Sequence, residues 1–509
     1  MTFPSLDQLR RDATRLKKAW DIGELQARQR IANNPPRQDL DGLKHADFLH
    51  VIARENAFET WPKLVWAAET IGLDRAARLQ RLKIALANGQ NWVVGQLLAE
   101  TPDLAQDQFG LCCALYDRPA VEQWLGDDPE AASRAFGPKR PICHLAFSRY
   151  IYARPDLQTD MIAIAEMLLA HGANVNDSIP VAPESDHRLS ALYGAIGHAN
   201  NMELGRWLLE HGADPNDGES LYHATELGHH VGLRMLLEHG ANPRGTNAML
   251  RAMDFHDHTA VELLLQHGAQ ADEFDGTHVG GEAPWVVPAL HQAARRMCDK
   301  RMVDLLLDSG ADPGREFEGV SAYAYARVFG NRELASAIEA RGAVPDLSPT
   351  EELLARAADG ADNSGKFVDT ATLPEAYRNI VRMILHLPGK LAHIRALVAL
   401  GIEYDRPDSE GLTPVQVAGW EGFPEVLQYF LQLKPGLGHI NGYGGTLLST
   451  IIHGSENCPE RETREYLACL QLVLDQGVAL PRAQLAQVGR EDIAGFLQDW
   501  ASRYPGQVV

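Results

Sequence analysis

Leu208-Leu209-Glu210-His211-Gly212-Ala213-Asp214-Pro215-Asn216 decides how the rest of this chain is read. Two apolar residues end a helical pattern, a glycine follows where a left-handed cap is needed, and Asp-Pro-Asn turns the chain outward. The same cadence runs from Leu168 to Asn174, from Leu236 to Asn242, from Leu264 to Gln270 and from Leu306 to Asp312. Gly172, Gly212, Gly240, Gly268 and Gly310 therefore read as structural caps, since a bulky side chain would be strained there. Self-similarity of this kind predicts a stacked array and an extended binding surface rather than a catalytic centre.

Upstream of each cadence lies a shorter apolar helix, such as Leu221-Tyr222-His223-Ala224 or Ala289-Leu290-His291-Gln292-Ala293-Ala294. One helix pair cannot bury both apolar faces, so neighbouring pairs must supply the core. These residues resemble the ankyrin repeat, whose pattern runs Gly-x-Thr-Pro-Leu-His-x-Ala-Ala, then Gly-His, then Leu-Leu-Leu-x-x-Gly-Ala-Asp. At the front end the nearest match is Gly411-Leu412-Thr413-Pro414-Val415-Gln416-Val417-Ala418. His144 and His291 stand at the family's buried histidine position, and Gln416 and Tyr222 replace it elsewhere. The resemblance implies an all-α ankyrin-repeat solenoid of about ten or eleven helix pairs with short β-hairpin-like fingers.

Four segments are expected: a helical N-terminal capping region at 1–76, a first repeat block at 77–345, an irregular join at 346–377, and a second block with a C-terminal cap at 378–509. Leu6, Leu9, Leu16, Ile22 and Leu25 form the apolar side of two opening helices, which Asn33-Asn34-Pro35-Pro36 breaks. Leu43 to Glu55, followed by Phe58 and Trp61-Pro62-Lys63-Leu64, resembles a leader found ahead of repeats in bacterial ankyrin proteins, with Phe58 and Trp61 as core anchors. Asp359 to Lys366 reads as a flexible join, and Glu491 to Arg503 as a capping helix. The capping glycines are unevenly spaced, and the extra residues fall at 177–188 and 273–287. Insertions in such arrays often map to the binding face.

The 509 residues are 45% hydrophobic with a formal net charge of −21. That balance disfavours nucleic acid and anionic membranes and is compatible with a basic partner. The charged start shows no signal-peptide pattern and no apolar run is long enough to span a bilayer. Six scattered cysteines make no disulfide framework, so free thiols in the cytoplasm are expected.

Twenty histidines raise the question of a metal. His171, His211, His239 and His267 precede capping glycines, where a cation suits a helix C-terminus. Stacking sets them about 10 Å apart, too far to share one tetrahedral ion with bonds of about 2 Å. His256 and His258, with Asp254 and Asp257, have ligand types without a paired cluster. Asn441-Gly442-Tyr443-Gly444-Gly445 carries no Lys-Ser/Thr and follows no strand, which speaks against a phosphate loop. No catalytic, cofactor or metal residue is expected.

The expected function is non-enzymatic protein binding on a concave face of finger tips and first helices. Exposed aromatics and one histidine at the fingers, Phe274, His278, Trp285, Phe317 and Tyr404, are the expected contacts, because aromatics and arginine dominate interfaces. Two alternatives remain open. One is an immunity or inhibitor protein that neutralises a basic toxin or enzyme. The other is a metal-dependent enzyme carried by the irregular insertions.

Overall fold

A computed structural model describes residues 6–37, 40, 42–43, 45–61, 63–65, 73–181, 185–272, 274, 287–342, 344–458, 460–488 and 490–509. Helix dominates. The named strands among the described residues form two antiparallel hairpins, Ser178–Pro180 with Arg188–Ser190 and Glu316–Phe317 with Val320–Ser321. The chain divides into two compact units, Leu73–Ala355 and a second made of Met1–Gly72 with Arg356–Val509.

In the unit Leu73–Ala355, short first helices alternate with second helices. The pairs are Arg75–Ala87 with Asn91–Glu100, Phe109–Ala114 with Arg118–Asp127, and Pro141–Ala146 with Gln158–Ala170. They continue with Ala191–Tyr193 and its π-turn Gly194–His198 before Met202–Glu210, then Ser220–Ala224 with Val231–Glu238 and Ala248–Asp254 with His258–Gln266. Ala289–Arg295 with Lys300–Asp308 and Ala322–Phe329 with Arg332–Arg341 complete the series. First helices pack on first helices and second on second, which buries Leu204, Leu208, Leu233, Leu236, Val261 and Leu264 between neighbours.

The cadence acquires a physical meaning at each helix end. Gly172, Gly212, Gly240, Gly268 and Gly310 all take φ between 90° and 102°. The preceding histidine's Nδ1–H donates to the carbonyl four residues back: His171 to Met167, His211 to Trp207, His239 to Met235 and His267 to Leu263, at 2.7–2.8 Å. Each adds a second donor to a carbonyl that already accepts the histidine's own amide, which pins the ring against the helix end. These four histidines are caps, not a row of ligands.

Beyond the glycine, Asp214 Oδ1 accepts the Asn216 amide at 2.9 Å, and Asn174 and Asn242 make the same turn. The residue two places on then reaches the next unit. Asn176 Oδ1 accepts the Asp214 amide at 2.8 Å, and Asn216 Oδ1 accepts the Asn242 amide at 2.7 Å. Asp272 does the same for Asp312. Asp362 repeats the turn with Ser364 at 2.9 Å after Gly360, whose φ is 73°. The stretch expected as a flexible join therefore holds one more copy of the capping turn, hidden in sequence because Leu353-Leu354 stand farther from the glycine than in the cadence.

The turn inside each pair also needs one left-handed residue. Gly228 and Gly330 supply it as glycine, whereas Asn200, His256 and Met297 hold φ of 50–54° with a side chain. His256→Gly removes that strain and raises the melting free energy by about 1 kcal/mol, read by denaturant unfolding. A metal ligand would give the opposite result once metal is added.

In the other unit, Leu9, Ala13, Leu16, Ala27, Ile31, Phe48, Ile52, Trp61 and Leu64 form one apolar cluster with Phe58 at its edge. Ile22 and Leu25 do not join it. They flank the turn at Gly23, where φ is 77°, and stand 82% and 81% exposed. Helix His45–Glu55 packs against Glu491–Arg503, where His45 Nε2 lies 3.1 Å from Gln498 Oε1, so the first and last parts of the chain share one core. Between them, Leu391–Ala399, Pro414–Trp420 with Pro424–Gln432, and Leu447–Asn457 with Tyr466–Asp475 follow the first-on-first packing rule.

Candidate interaction surface

A ribbon of opposed charges crosses successive first helices in the unit Leu73–Ala355. It begins at Glu219, the residue before helix Ser220–Ala224, whose side chain is only 1% exposed. His187 Nε2 lies 2.5 Å from Glu219 Oε1 and His223 Nε2 lies 3.3 Å from Oε2. His223 Nδ1 meets Glu226 Oε2 at 2.9 Å, and Glu226 Oε1 accepts from Arg251 Nε at 2.8 Å. Arg251 Nη1 donates to Asp254 at 3.0 Å, and Asp254 accepts from Arg296 at 2.7 Å and Gln292 at 2.5 Å.

Helical spacing explains the arrangement. Glu219, His223 and Glu226 stand at i, i+4 and i+7, and Arg251 and Asp254 at i and i+3, so each set shares one face. The insertion at 177–188 contributes as well: its hairpin carries His187 onto Glu219. Arg251 lies 5.7 Å from the Tyr222 ring centroid and 5.0 Å from that of Phe255, itself 44% exposed. The result is a partly exposed arginine with a fixed rotamer between two aromatic rings.

Both nitrogens of His223 face carboxylates, so both carry protons. Burial alone would lower its pKa, but hydrogen bonds and charge from Glu219 and Glu226 overcome that and lift it to about 9. For Glu226, burial pushes upward, yet His223 and Arg251 hold it below the usual carboxylate range. Four other histidines of this unit move the opposite way, and burial is the largest cause for each, His256 included. Burial takes His144, His198 and His291 down to about 4. His144 Nε2 donates to Phe136 O at 2.9 Å and His291 Nε2 to Val320 O at 3.0 Å, each tying a first helix to a finger.

A pH dependence follows. From an unfolded pKa near 6.5, His223 binds more protons folded than unfolded up to about 9, so its stabilisation is lost as pH rises through that window. His144, His198 and His291 bind fewer protons folded, so theirs is lost as pH falls from 6.5 through about 4. The histidine contribution therefore peaks near pH 6.5, and His223→Gln flattens the alkaline limb by about 2 kcal/mol between pH 6.5 and 9 in urea titrations.

Of the residues expected from sequence, Phe274 and Phe317 come together. Their rings meet edge-on with centroids 5.5 Å apart, Arg315 lies 5.5 Å from the Phe274 centroid, and Phe317 touches buried His291 at 5.8 Å. Both phenylalanines are half-buried. His278 and Trp285 lie outside the described residues. Tyr404 belongs to the other unit, half-buried, with its hydroxyl donating to Leu433 O at 2.8 Å, so it ties one turn to the next.

Sequence reasoning passed over the ribbon itself, although the i, i+4, i+7 spacing of Glu219, His223 and Glu226 was readable. It also passed over Phe367, Ile440 and Tyr443, which stand 74%, 61% and 71% exposed on the loops of the second unit. The glycines beside Tyr443 serve close approach: Gly442 donates to Glu410 O at 2.8 Å, and a Cβ there would sit 2.5 Å from that oxygen. His256 and His258 do not converge on a metal: His258 Nε2 bonds Asp299 at 2.8 Å, and Asp257 holds His230 at 2.7 Å while capping its helix through the Ala260 amide. Among the described residues no group of three or more His, Cys, Asp or Glu could hold a metal ion.

A family model described as ankyrin repeats (3 copies) matches residues 192–275. A search of curated proteins finds no match. Among solved structures, the crystal structure of the human ASB11 ankyrin repeat domain aligns over 47% of this chain and 99% of that one, at 20% identity and a TM-score of 0.35. The matched stretch holds three successive helix pairs, two ending in Gly-Ala-Asx and the third in Gly268-Ala269-Gln270, and ankyrin repeats generally mediate protein–protein interaction. Residues 192–275 of this chain are ankyrin repeats.

Proposed function

We propose that the protein is a non-enzymatic scaffold that binds a partner protein on the concave face formed by first helices and fingers. In this reading the helix pairs outside 192–275 extend the same array, to about ten or eleven ankyrin-like units. The observation that carries the proposal is the ribbon from His187 to Arg296, above all Arg251 held by Glu226 and Asp254 between Tyr222 and Phe255. Arginine and aromatic side chains with fixed rotamers lose little entropy on docking and dominate interface energies. The six cysteines are buried and free, which fits the reducing cytoplasm proposed as its location.

The test is affinity purification of the tagged full-length protein from its native cells. Arg251→Ala and Phe255→Ala are compared with a control in the other unit, Arg406→Ala. A partner retained by wild type and control but lost from both ribbon variants supports the reading. Equal recovery with all four proteins sinks it.

A further inference from the structure

Away from the ribbon, a cleft of about 370 Å³ opens at the first three helix pairs of the unit Leu73–Ala355. Its walls come from three consecutive first helices, Arg75–Ala87, Phe109–Ala114 and Pro141–Ala146, and from the finger holding Phe136 and Lys139. Phe109 and Phe136 pack edge-on with centroids 5.3 Å apart, and Phe147 lines the cleft beside them. The lining is thus aromatic, and its size is that of a ligand pocket.

Two ammonium groups break the apolar lining. Lys139 Nζ sits 4.5 Å from the Phe147 ring centroid, and Lys83 lies on the neighbouring helix. Neither has a carboxylate partner among the described residues. The acid that also lines the cleft, Asp107, is 88% exposed and faces Arg75 at 3.9 Å. His144, with its Nε2–H on the Phe136 carbonyl, adds no charge of its own near neutral pH. In a chain with 68 acidic and 47 basic residues, a cleft with two unmatched lysines stands out. Burial lowers the Lys139 pKa, so an arriving carboxylate would restore what the ammonium lost in leaving water.

We propose that this cleft docks an extended acidic–aromatic segment of a partner protein. An apolar ring enters between Phe109, Phe136 and Phe147, and a neighbouring Asp or Glu meets Lys139 and Lys83. The cleft is lined by residues of three consecutive helix pairs, which suits an extended chain better than a compact metabolite. Charge complementarity fixes the sign of the partner segment, which is opposite to the basic partner that the whole-chain charge suggests. The inference rests on the binding reading above and concerns a different stretch of first helices and finger from the ribbon, with its own probe.

The test pans a displayed library of short random peptides against the full-length protein, then measures a selected, labelled peptide by fluorescence anisotropy. Wild type enriches Asp or Glu within two positions of Phe, Tyr, Trp or Leu. Lys139→Gln weakens the selected peptide by about tenfold, and Lys139→Arg retains most of the affinity. Thermal melting shows that both variants fold. The proposal is overturned if enriched peptides are neutral or basic, or if Lys139→Gln binds as well as wild type. It is also overturned if 3-phenylpropanoate occupies the cleft while no peptide is enriched, which would assign it to small carboxylates. Loss of the native partner in Arg251→Ala with unchanged peptide binding separates the two surfaces.

Discussion

Replacing Arg382 with leucine lowers the stability of the unit Met1–Gly72 with Arg356–Val509 by about 3–5 kcal/mol, because it strands a buried carboxylate. Asp408 is fully buried at its side chain, and Arg382 Nε donates to it at 2.7 Å. The same carboxylate accepts the Glu410 and Leu412 amides at 3.0 and 2.8 Å, so it shapes the loop ahead of helix Pro414–Trp420. Arg382 also contacts His386 at 2.6 Å, which reaches Glu421 at 3.0 Å, and Glu421 lies 3.7 Å from Arg464. Charge removal thus disturbs a chain of ions across neighbouring helix pairs. Denaturant unfolding of R382L against wild type measures the loss. Adding Asp408→Asn to R382L recovers part of it, since both backbone amides donate to Oδ1 and an amide oxygen there keeps them without an unpaired charge. A loss below about 1 kcal/mol would show that water, not Arg382, compensates Asp408.

Gly454→Ala is the second large effect. A Cβ at this position would stand 2.3 Å from Trp420 O and 2.8 Å from Trp420 Cα, both backbone atoms that cannot rotate away. Helices Pro414–Trp420 and Leu447–Asn457 pack against each other here. The substitution must push them apart, losing about 3 kcal/mol or more, since overpacked cores shift backbone rather than absorb volume. Gly438→Ala serves as the control, because nothing lies within 4 Å of its added methyl. Melting temperatures of G454A and G438A should diverge clearly; parallel values would mean that the helix pair slides without strain.

The repeating architecture was legible because its signal is local. Glycine at φ near 90°, an Asx turn and two leucines all lie within a few residues, and the structure turns each into a bond that can be named. The capping helix Glu491–Arg503 and the break after Asn33 were legible for the same reason. Pairings between distant residues were not. No local pattern tells that His45 meets Gln498, or that Glu491–Arg503 packs on His45–Glu55. Ile22 and Leu25 misled because periodicity put them on the apolar side of the two opening helices, whereas they flank the turn at Gly23 and face solvent.

The candidate surface was legible only where single residues carry it. Phe274 and Phe317 could be singled out as aromatics beside fingers, and they do meet. The ribbon required knowing that His187, on an insertion, reaches Glu219 and that Arg251 bridges Glu226 to Asp254. Charged residues on a helix read in sequence as a solvated face. Only the neighbouring helix reveals whether they have partners.

The asparagine bridges between capping turns make the seams of this array interchangeable. Asn176 holds the backbone at Asp214 and Asn216 holds it at Asn242, through the same two atoms on each side. Removing residues 213–240 would bring Asn176 opposite Asn242 and restore the same bond. Whole units can thus be excised or duplicated at these joints, so the length of the docking surface can change in steps without redesign of its core.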